Sequence, residues 1–452
     1  MSNRLLPFTE ERLLDVLESQ PDAHTYFVGF SGGADSTALL FALKQLEAQL
    51  VTPIKAIHVN HGIHADADLW QHHCEEFCRQ LDITLVCLKI NLQGDTGSGQ
   101  EAEARHLRYQ AMTALLQTGD SLLTAHHADD QAETLFLNLM RGSGVDGLSA
   151  MPQRRPLGKG TLCRPLLGFE NAALIDYLRE NDIAWLEDPS NQLLQHDRNF
   201  VRHEIMPLLK SRWQNVNQRF LLTRNAMAEA RSLLERMADE YLEQNLRHNL
   251  VMQVASPLDQ DAALLKLVIR RWLQQNGVPP IPARSLETLH SQMYQADHVH
   301  KVYVQWGGCC LRFFHDQLWL QAWTDLPPCP ESDWPADQAV IDLGEDFGKL
   351  TLNGTHAGGP PGGFSISSRQ NCKVNRIKHG KHHKSLKNMF QAAGIPDWLR
   401  DSIPLCKLNG EVVAIGDWCF ADRFAEWMSE HRVELSWQPE HPVLQFIVDQ
   451  QS

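Results

Sequence analysis

The sequence predicts an α/β fold in which a parallel sheet carries helices on both faces, followed by a long helical connector and two smaller α+β domains. Three observations predict it. Short apolar and β-branched runs alternate with segments of helical period between Thr25 and Met140. The first strand-to-helix junction is built of small residues, Ser31-Gly32-Gly33-Ala34. Polar residues also recur at the end of each expected strand, the rim where an open α/β sheet binds its ligands.

Each element follows from its own residues. Positions 9–18 have the pattern of a short amphipathic helix, and Thr25-Tyr26-Phe27-Val28 reads as a buried strand. Thr37 to Leu43 then reads as a helix packed on the sheet. Further strands are expected at Ile54–Val59, Leu85–Ile90 and Ser121–Thr124, and helices at Leu69–Leu81 and Glu101–Leu116. This order places His58-Val59-Asn60-His61, residues 91–100 and Ala125-His126-His127 on the ligand-facing rim. The domains expected are residues 1–212, a catalytic α/β domain; 213–248, a helical connector; 249–326; and 327–452.

The junction itself suggests chemistry. Gly32 and Gly33 can adopt positive φ and let backbone amides turn inward. With the start of a helix and the hydroxyls of Ser31 and Ser36, those amides suit an anion such as phosphate. A Gly-Gly turn capped by serine would be the plainer explanation, but strand, loop and helix cap all agree. No Gly-Lys-Ser/Thr follows, so this is not a Walker loop. Asp35 would repel a phosphate unless a Mg²⁺ ion bridged the two. The loop resembles the Ser-Gly-Gly-x-Asp-Ser motif of the N-type ATP pyrophosphatases. The resemblance implies that Ser31, Gly32, Gly33, Ala34, Asp35 and Ser36 bind ATP and cleave it between the α and β phosphates.

Composition narrows the class. The chain has 452 residues, 43% of them hydrophobic and 21% charged, too many for one core and too apolar for wholesale disorder. No apolar run is long enough to cross a membrane, and the first residues lack the apolar core of a signal peptide. Ten cysteines without regular spacing read as reduced thiols, so a cytoplasmic protein is expected. A net charge of −14 argues, as an average, against nucleic acid, but local patches decide.

The densest polar cluster is His126-His127-Ala128-Asp129-Asp130-Gln131-Ala132-Glu133-Thr134, opening a helix that runs to Met140. Capping of that helix explains Asp129 by itself. Asp130 and Glu133, three apart, share a helix face and could receive an ammonium group or a metal. The histidines lack a second ligand pair at zinc spacing, so phosphate or acid–base contacts are preferred and no structural metal is expected. Arg141-Gly142-Ser143-Gly144 follows a helix and fails as a dinucleotide loop. Arg198 and Arg202, one turn apart, form a cationic fork that by itself is more often a solvated face.

In order, His-His-x-Asp-Asp-Gln-x-Glu-Thr, Arg-Gly-x-Gly-x-x-Gly-Leu, Arg164-Pro165-Leu166-Leu167, Asp188-Pro189-Ser190-Asn191 and Arg198-Asn199-x-x-Arg202 resemble the tRNA(Ile)-lysidine synthetases. Glu101 to Tyr109, with Arg108, is similar to another segment of that family. After His61-Gly62 the family usually has Leu-Arg, where this chain has Ile63-His64. The resemblance implies ATP and Mg²⁺ as substrate and metal, with no permanently bound cofactor. It also implies L-lysine and a CAU-anticodon isoleucine tRNA as partners, and it is compatible with a homodimer. Lysine recognition falls to Asp130 and Glu133, with His58, His61, Arg108, His126, His127, Arg198 and Arg202 as further active-site candidates. The related thiolation chemistry normally needs a Cys-x-x-Cys pair, which this chain lacks. A relative that amidates small molecules would leave the basic tail unexplained, and a nucleotide fold without activity would not need Asp35, Asp130 and Glu133.

The tail supplies the strongest charge signal. Arg369, Lys373, Arg376, Lys378, Lys381, Lys384 and Lys387 occur without an intervening acid, with three histidines among them. A solvated loop is the usual explanation for such a run, yet in an acidic chain it stands out as a landing site for a polyanion. Lys384 to Leu405 also resembles the C-terminal domain of the same synthetases. Before it, residues 262–275 read as a helix and 302–320 as a β-hairpin and its continuation, with Cys309-Cys310 structural.

Overall fold

The computed structural model describes residues 7–60, 62, 66–90, 100–187, 194–254, 261–295, 302–322, 324–354, 360, 362–372, 376–379 and 382–451. The expectations for His61, Ile63-His64, residues 91–99, 188–191, Lys373 and Lys381 lie outside that set. The chain divides into two compact units, residues 1–233 and 234–452.

The first unit holds a six-stranded sheet in the order β3-β2-β1-β4-β6-β5. Its strands are β1 (Tyr26–Gly29), β2 (Ile54–Asn60), β3 (Thr84–Lys89), β4 (Ser121–Leu123), β5 (Arg154–Leu157) and β6 (Gly160–Cys163). β1 to β4 and β6 run parallel, with Tyr26 level with Ile54 on one side and Ser121 on the other. Its helices are α1 (Glu10–Glu18), α2 (Ala34–Gln45), α3 (Ala67–Gln80), α4 (Gln100–Leu115), α5 (Ala128–Met140), α6 (Val145–Leu148), α7 (Asn171–Glu180), α8 (Asp197–Phe200) and α9 (Met206–Arg212), with the first part of α10 (Val216–Asn245), whose later residues belong to the second unit. α2 is apolar on all sides and every residue from Ser36 to Leu43 is buried, as a helix between a sheet and a further helix must be. Leu39, Leu40 and Leu43 are wholly enclosed, each stabilising the unit by about 2 kcal/mol through burial. That rigidity fixes the loop at its N-terminus.

The expected parallel sheet is present, and it has an addition. The β5–β6 hairpin turns at Gly158, whose φ is +57°, and β5 runs antiparallel at the edge. Pro156 explains why β5 stays there, since proline cannot donate to a further strand.

The second unit contains a five-stranded antiparallel sheet and two further sheets. In the first of these, Val302–Trp306, Cys309–Phe314 and Gln317–Ala322 pair in sequence order, and helix Ala262–Gln275 buries Trp272 in the same core. Farther along, strand His382–Ser385 forms the edge of a larger sheet, paired with Arg376–His379. Ile377 is buried, whereas Arg376 and Lys378 are exposed beside it, the alternation of a strand with one wet face.

Candidate active site

The loop after β1 is shaped by Gly32. Its φ of +84° suits glycine, and a Cβ there would lie 2.8 Å from Leu186 Cδ1. Leu186 N donates to Gly32 O at 2.9 Å, so a distant segment braces the turn. Ser36 Oγ donates to Gly33 O (3.1 Å), accepts from Ser31 N (3.2 Å) and lies 3.1 Å from Ser31 Oγ. Thr37 Oγ1 donates to Gly32 O. No side chain caps α2 at Gly33, which leaves the amides of its first turn for an anion.

Asp35 follows in that first turn. Its Oδ1 accepts from Asn171 Nδ2 at 2.7 Å, and its Oδ2 lies 3.5 Å from His127 Nε2. Its side chain is 35% exposed, so part of the carboxylate stays open to solvent beside the loop. A hard carboxylate oxygen, joined by phosphate oxygens and water, is a donor set that suits Mg²⁺.

His127 stands at the centre of the site, 3% exposed. Its Nε2 lies 3.4 Å from Asp130 Oδ2, and its Nδ1 3.6 Å from Asp129 Oδ2. Burial pulls the imidazole down, but the carboxylates of Asp130, Asp35 and Asp129 outweigh it and raise the pKa to about 9. His127 is therefore an imidazolium at neutral pH.

Asp130 and Glu133 are met by arginines. Arg198 Nη2 and Arg202 Nη2 donate to Asp130 Oδ1 at 2.8 and 2.9 Å. Arg198 Nε donates to Glu133 Oε2 at 2.9 Å, and Arg202 Nε to Glu133 Oε1 at 2.7 Å. The acceptors expected to receive an ammonium group thus hold two guanidiniums, and the arginine fork faces this buried pair rather than water. Burial works to raise the Asp130 carboxyl, but His127 and the arginines hold it well below the ordinary range. Cations Arg198, Arg202, His127 and Lys210 balance anions Asp35, Asp129, Asp130 and Glu133.

Asp129 differs from expectation as well. Rather than capping its own helix, it accepts from Asn171 N at the start of α7 (2.9 Å), and from Lys210 Nζ (2.6 Å) and Asn217 Nδ2 (2.8 Å). The cap within α5 belongs to Asp130, whose Oδ2 accepts from His127 N at 3.0 Å. Asn171, Lys210, Asn217 and Leu186 carried no local motif that marked them. Their partners are more than 80 residues away, except for the 42 between Asp129 and Asn171 and the 47 between Asn217 and Glu170, whose Oε1 also accepts from Asn217 Nδ2 at 3.1 Å.

Among the other candidates, His58 is buried and its Nδ1 donates to Phe30 O at 3.0 Å; burial lowers its pKa, so it bears the neutral ring beneath the loop. His126 Nδ1 lies 3.0 Å from Thr124 Oγ1 on the rim. Arg108 is exposed on α4.

The raised pKa of His127 has a consequence for stability. A group whose folded pKa exceeds its unfolded value stabilises fully below the unfolded value and loses that contribution as pH climbs through the folded one. From 6.5 to about 9, this amounts to about 3 kcal/mol. Thermal melts should therefore fall between pH 6.5 and 9.5, and His127→Asn should flatten that slope. An equal slope in both proteins would place the titration elsewhere.

A PP-loop domain model matches residues 6–209, a TilS substrate binding domain model residues 258–319, and a TilS substrate C-terminal domain model residues 364–437. The tRNA(Ile)-lysidine synthase of Alkalilimnicola ehrlichii is 37% identical over 93% of this chain and 95% of its own length. That of Methylococcus capsulatus is 35% identical over 92% and 96%, and that of Coxiella burnetii 31% over 92% and 94%. With the braced loop, the carboxylate cluster and likeness along nearly the whole chain, this protein belongs to the tRNA(Ile)-lysidine synthase family.

Proposed function

We propose that the protein uses ATP to join L-lysine to C2 of the wobble cytidine in a CAU-anticodon isoleucine tRNA. The C2 oxygen attacks the α-phosphate and pyrophosphate leaves. The lysine side-chain amine then attacks C2, and AMP departs with the oxygen. The product, lysidine, changes codon reading from AUG to AUA and tRNA identity from methionine to isoleucine. The observation that carries this reading is the coupling of the Ser31–Ser36 loop to a cluster of four carboxylates through Asp35 and His127.

In this mechanism Ser31, Gly32, Gly33, Ala34 and Ser36 hold the departing pyrophosphate, whose charge the α2 amides offset. Mg²⁺ at Asp35 would neutralise the phosphates during transfer. His127 keeps Asp35 and Asp130 in place. Asp130 and Glu133 supply the negative charge for lysine's ammonium, and Arg198 and Arg202 must give up at least one acceptor to admit it. An anticodon base is already unpaired, so bringing it to the loop costs little. ATP is the substrate expected of a PP-loop enzyme, and ligation of lysine to tRNA makes it a ligase. Among the described residues no helix is long and apolar enough to cross a membrane, which fits work on tRNA in the cytoplasm.

The basic C-terminal segment would supply phosphate contacts. Arg376, Lys378, Lys384 and Lys387 are exposed, while Arg369 donates to Asp401 at 3.2 Å. Lys384, on the edge strand, also deters strand pairing with another chain. Replacing Lys378, Lys384 and Lys387 by glutamine should weaken tRNA binding, reduce its salt slope by about 2–3, and leave ATP binding intact. An unchanged salt slope would leave the edge-strand explanation standing.

The test of the whole reading is incubation with ATP, Mg²⁺, labelled lysine and the isoleucine tRNA, with a CAU-anticodon methionine tRNA as control. Label in the isoleucine tRNA alone, with AMP released, is expected. Adenylation without lysine transfer would change the nucleophile, and neither signal from folded protein would refute the assignment.

A further inference from the structure

We propose that Trp213 is a stacking platform for an unpaired base of the tRNA anticodon loop, with Arg212 and Arg219 taking phosphates beside it. The inference rests on the tRNA reading above. Trp213 opens the connection between α9 and α10, and residues 211–215, from the end of α9 to the end of that connection, are all exposed. Its indole is 45% exposed. Single exposed apolar residues are ordinary, and exposure alone would say nothing.

Two further observations give it weight. First, the connection is fixed at both ends to one atom of the active site. Lys210 Nζ and Asn217 Nδ2 both donate to Asp129 Oδ1, and Asp129 Oδ2 is 3.6 Å from His127, which contacts Asp35. Trp213 is three residues from the first anchor, a span of at most about 10 Å. The connection that carries the ring is therefore tied to the site at both ends.

Second, the charge around it is reversed relative to the chain. Between 198 and 224, Arg198, Arg202, Lys210, Arg212, Arg219 and Arg224 face a single acid, Glu204, in a protein of net charge −14. Four of these cations serve protein acceptors: Arg198 and Arg202 in the carboxylate cluster, Lys210 at Asp129, and Arg224 at the carbonyls of Ser149 and Met151. Arg212 and Arg219 are exposed, and neither joins an ion pair among the described residues. Cations flanking an exposed indole match a polynucleotide, which brings a phosphate with every base. ATP would already have its phosphates at the Ser31–Ser36 loop and would leave these two arginines unused. Stacking on an aromatic face accepts any base, so the platform would position the loop rather than read its sequence.

The experiment uses full-length protein with the Trp213→Ala and Trp213→Phe variants, measuring lysine incorporation while tRNA, ATP and lysine are varied in turn. The KM for tRNA should rise about tenfold or more in the alanine variant and return most of the way with phenylalanine. The KM values for ATP and lysine should stay within about twofold. An isolated anticodon stem-loop should quench more emission from wild type than from Trp213→Phe, a readout that does not need the alanine variant to fold. A KM change for ATP instead of tRNA would assign the ring to adenine and overturn the proposal. Unchanged KM values with equal quenching would also overturn it. Failure of wild type to incorporate lysine would refute the tRNA reading itself, before any variant is compared.

Discussion

Asp35→Ala should reduce adenylation of the tRNA by about 10³-fold or more while leaving the protein folded. The carboxylate occupies the first turn of α2, where its charge opposes the phosphates that the adjacent amides attract. That arrangement is unfavourable unless a cation stands between them, so on the proposed reading the charge of Asp35 is expected to serve ligand binding more than folding. The structural cost of removing it is small: one hydrogen bond from Asn171 and a 3.5 Å approach by a histidine that keeps two other carboxylates. A loss of about 1 kcal/mol is expected from such a half-exposed contact. Asp35→Asn separates charge from shape, since its carbonyl can still accept from Asn171. Both variants should fail alike if charge matters, and asparagine should retain activity if Asp35 only positions Asn171. Pyrophosphate release with saturating tRNA is the measurement, and a residual rate within tenfold of wild type would remove Asp35 from the phosphate-transfer step.

What could be read from the residues was local. The strand, the Gly32-Gly33 turn and the buried α2 carry their geometry in consecutive residues, so loop and parallel sheet were legible before any coordinates. Asp130 and Glu133 could be placed on one face of α5 by spacing alone. Their partners could not, because an arginine on α8 and another beyond it look the same in sequence whether they meet water or a carboxylate 65 to 72 residues away. Asp129 is the sharper case. Aspartate at a helix start has a sufficient local explanation, and that explanation hid its hold on Asn171, Lys210 and Asn217. β5 was hidden for a different reason: Arg154-Arg155-Pro156 has neither alternation nor β propensity, and it pairs because β6 offers an open edge.

Glu133→Ala should separate the two halves of the reaction. The side chain is almost wholly enclosed and accepts from the Nε atoms of both Arg198 and Arg202. Removing it strands two guanidiniums that still share Asp130, now with an excess of positive charge. Loss of one partner from a buried ion cluster costs 3–5 kcal/mol; the arginines are about one-third exposed, which favours the lower end, about 3 kcal/mol. For a unit of this size the melting temperature should drop by roughly 6–12 °C. Below that temperature the phosphate loop is untouched, so tRNA-dependent pyrophosphate release should continue. Transfer of lysine should fall about 100-fold, because the charge that offsets the incoming ammonium has been halved, and adenylated tRNA should accumulate. Glu133→Gln restores volume and one acceptor but not charge, so it should recover part of the melting temperature and little of the transfer. If both half-reactions instead declined together in Glu133→Ala, the cluster would be acting through the fold alone, and lysine would have to be held elsewhere.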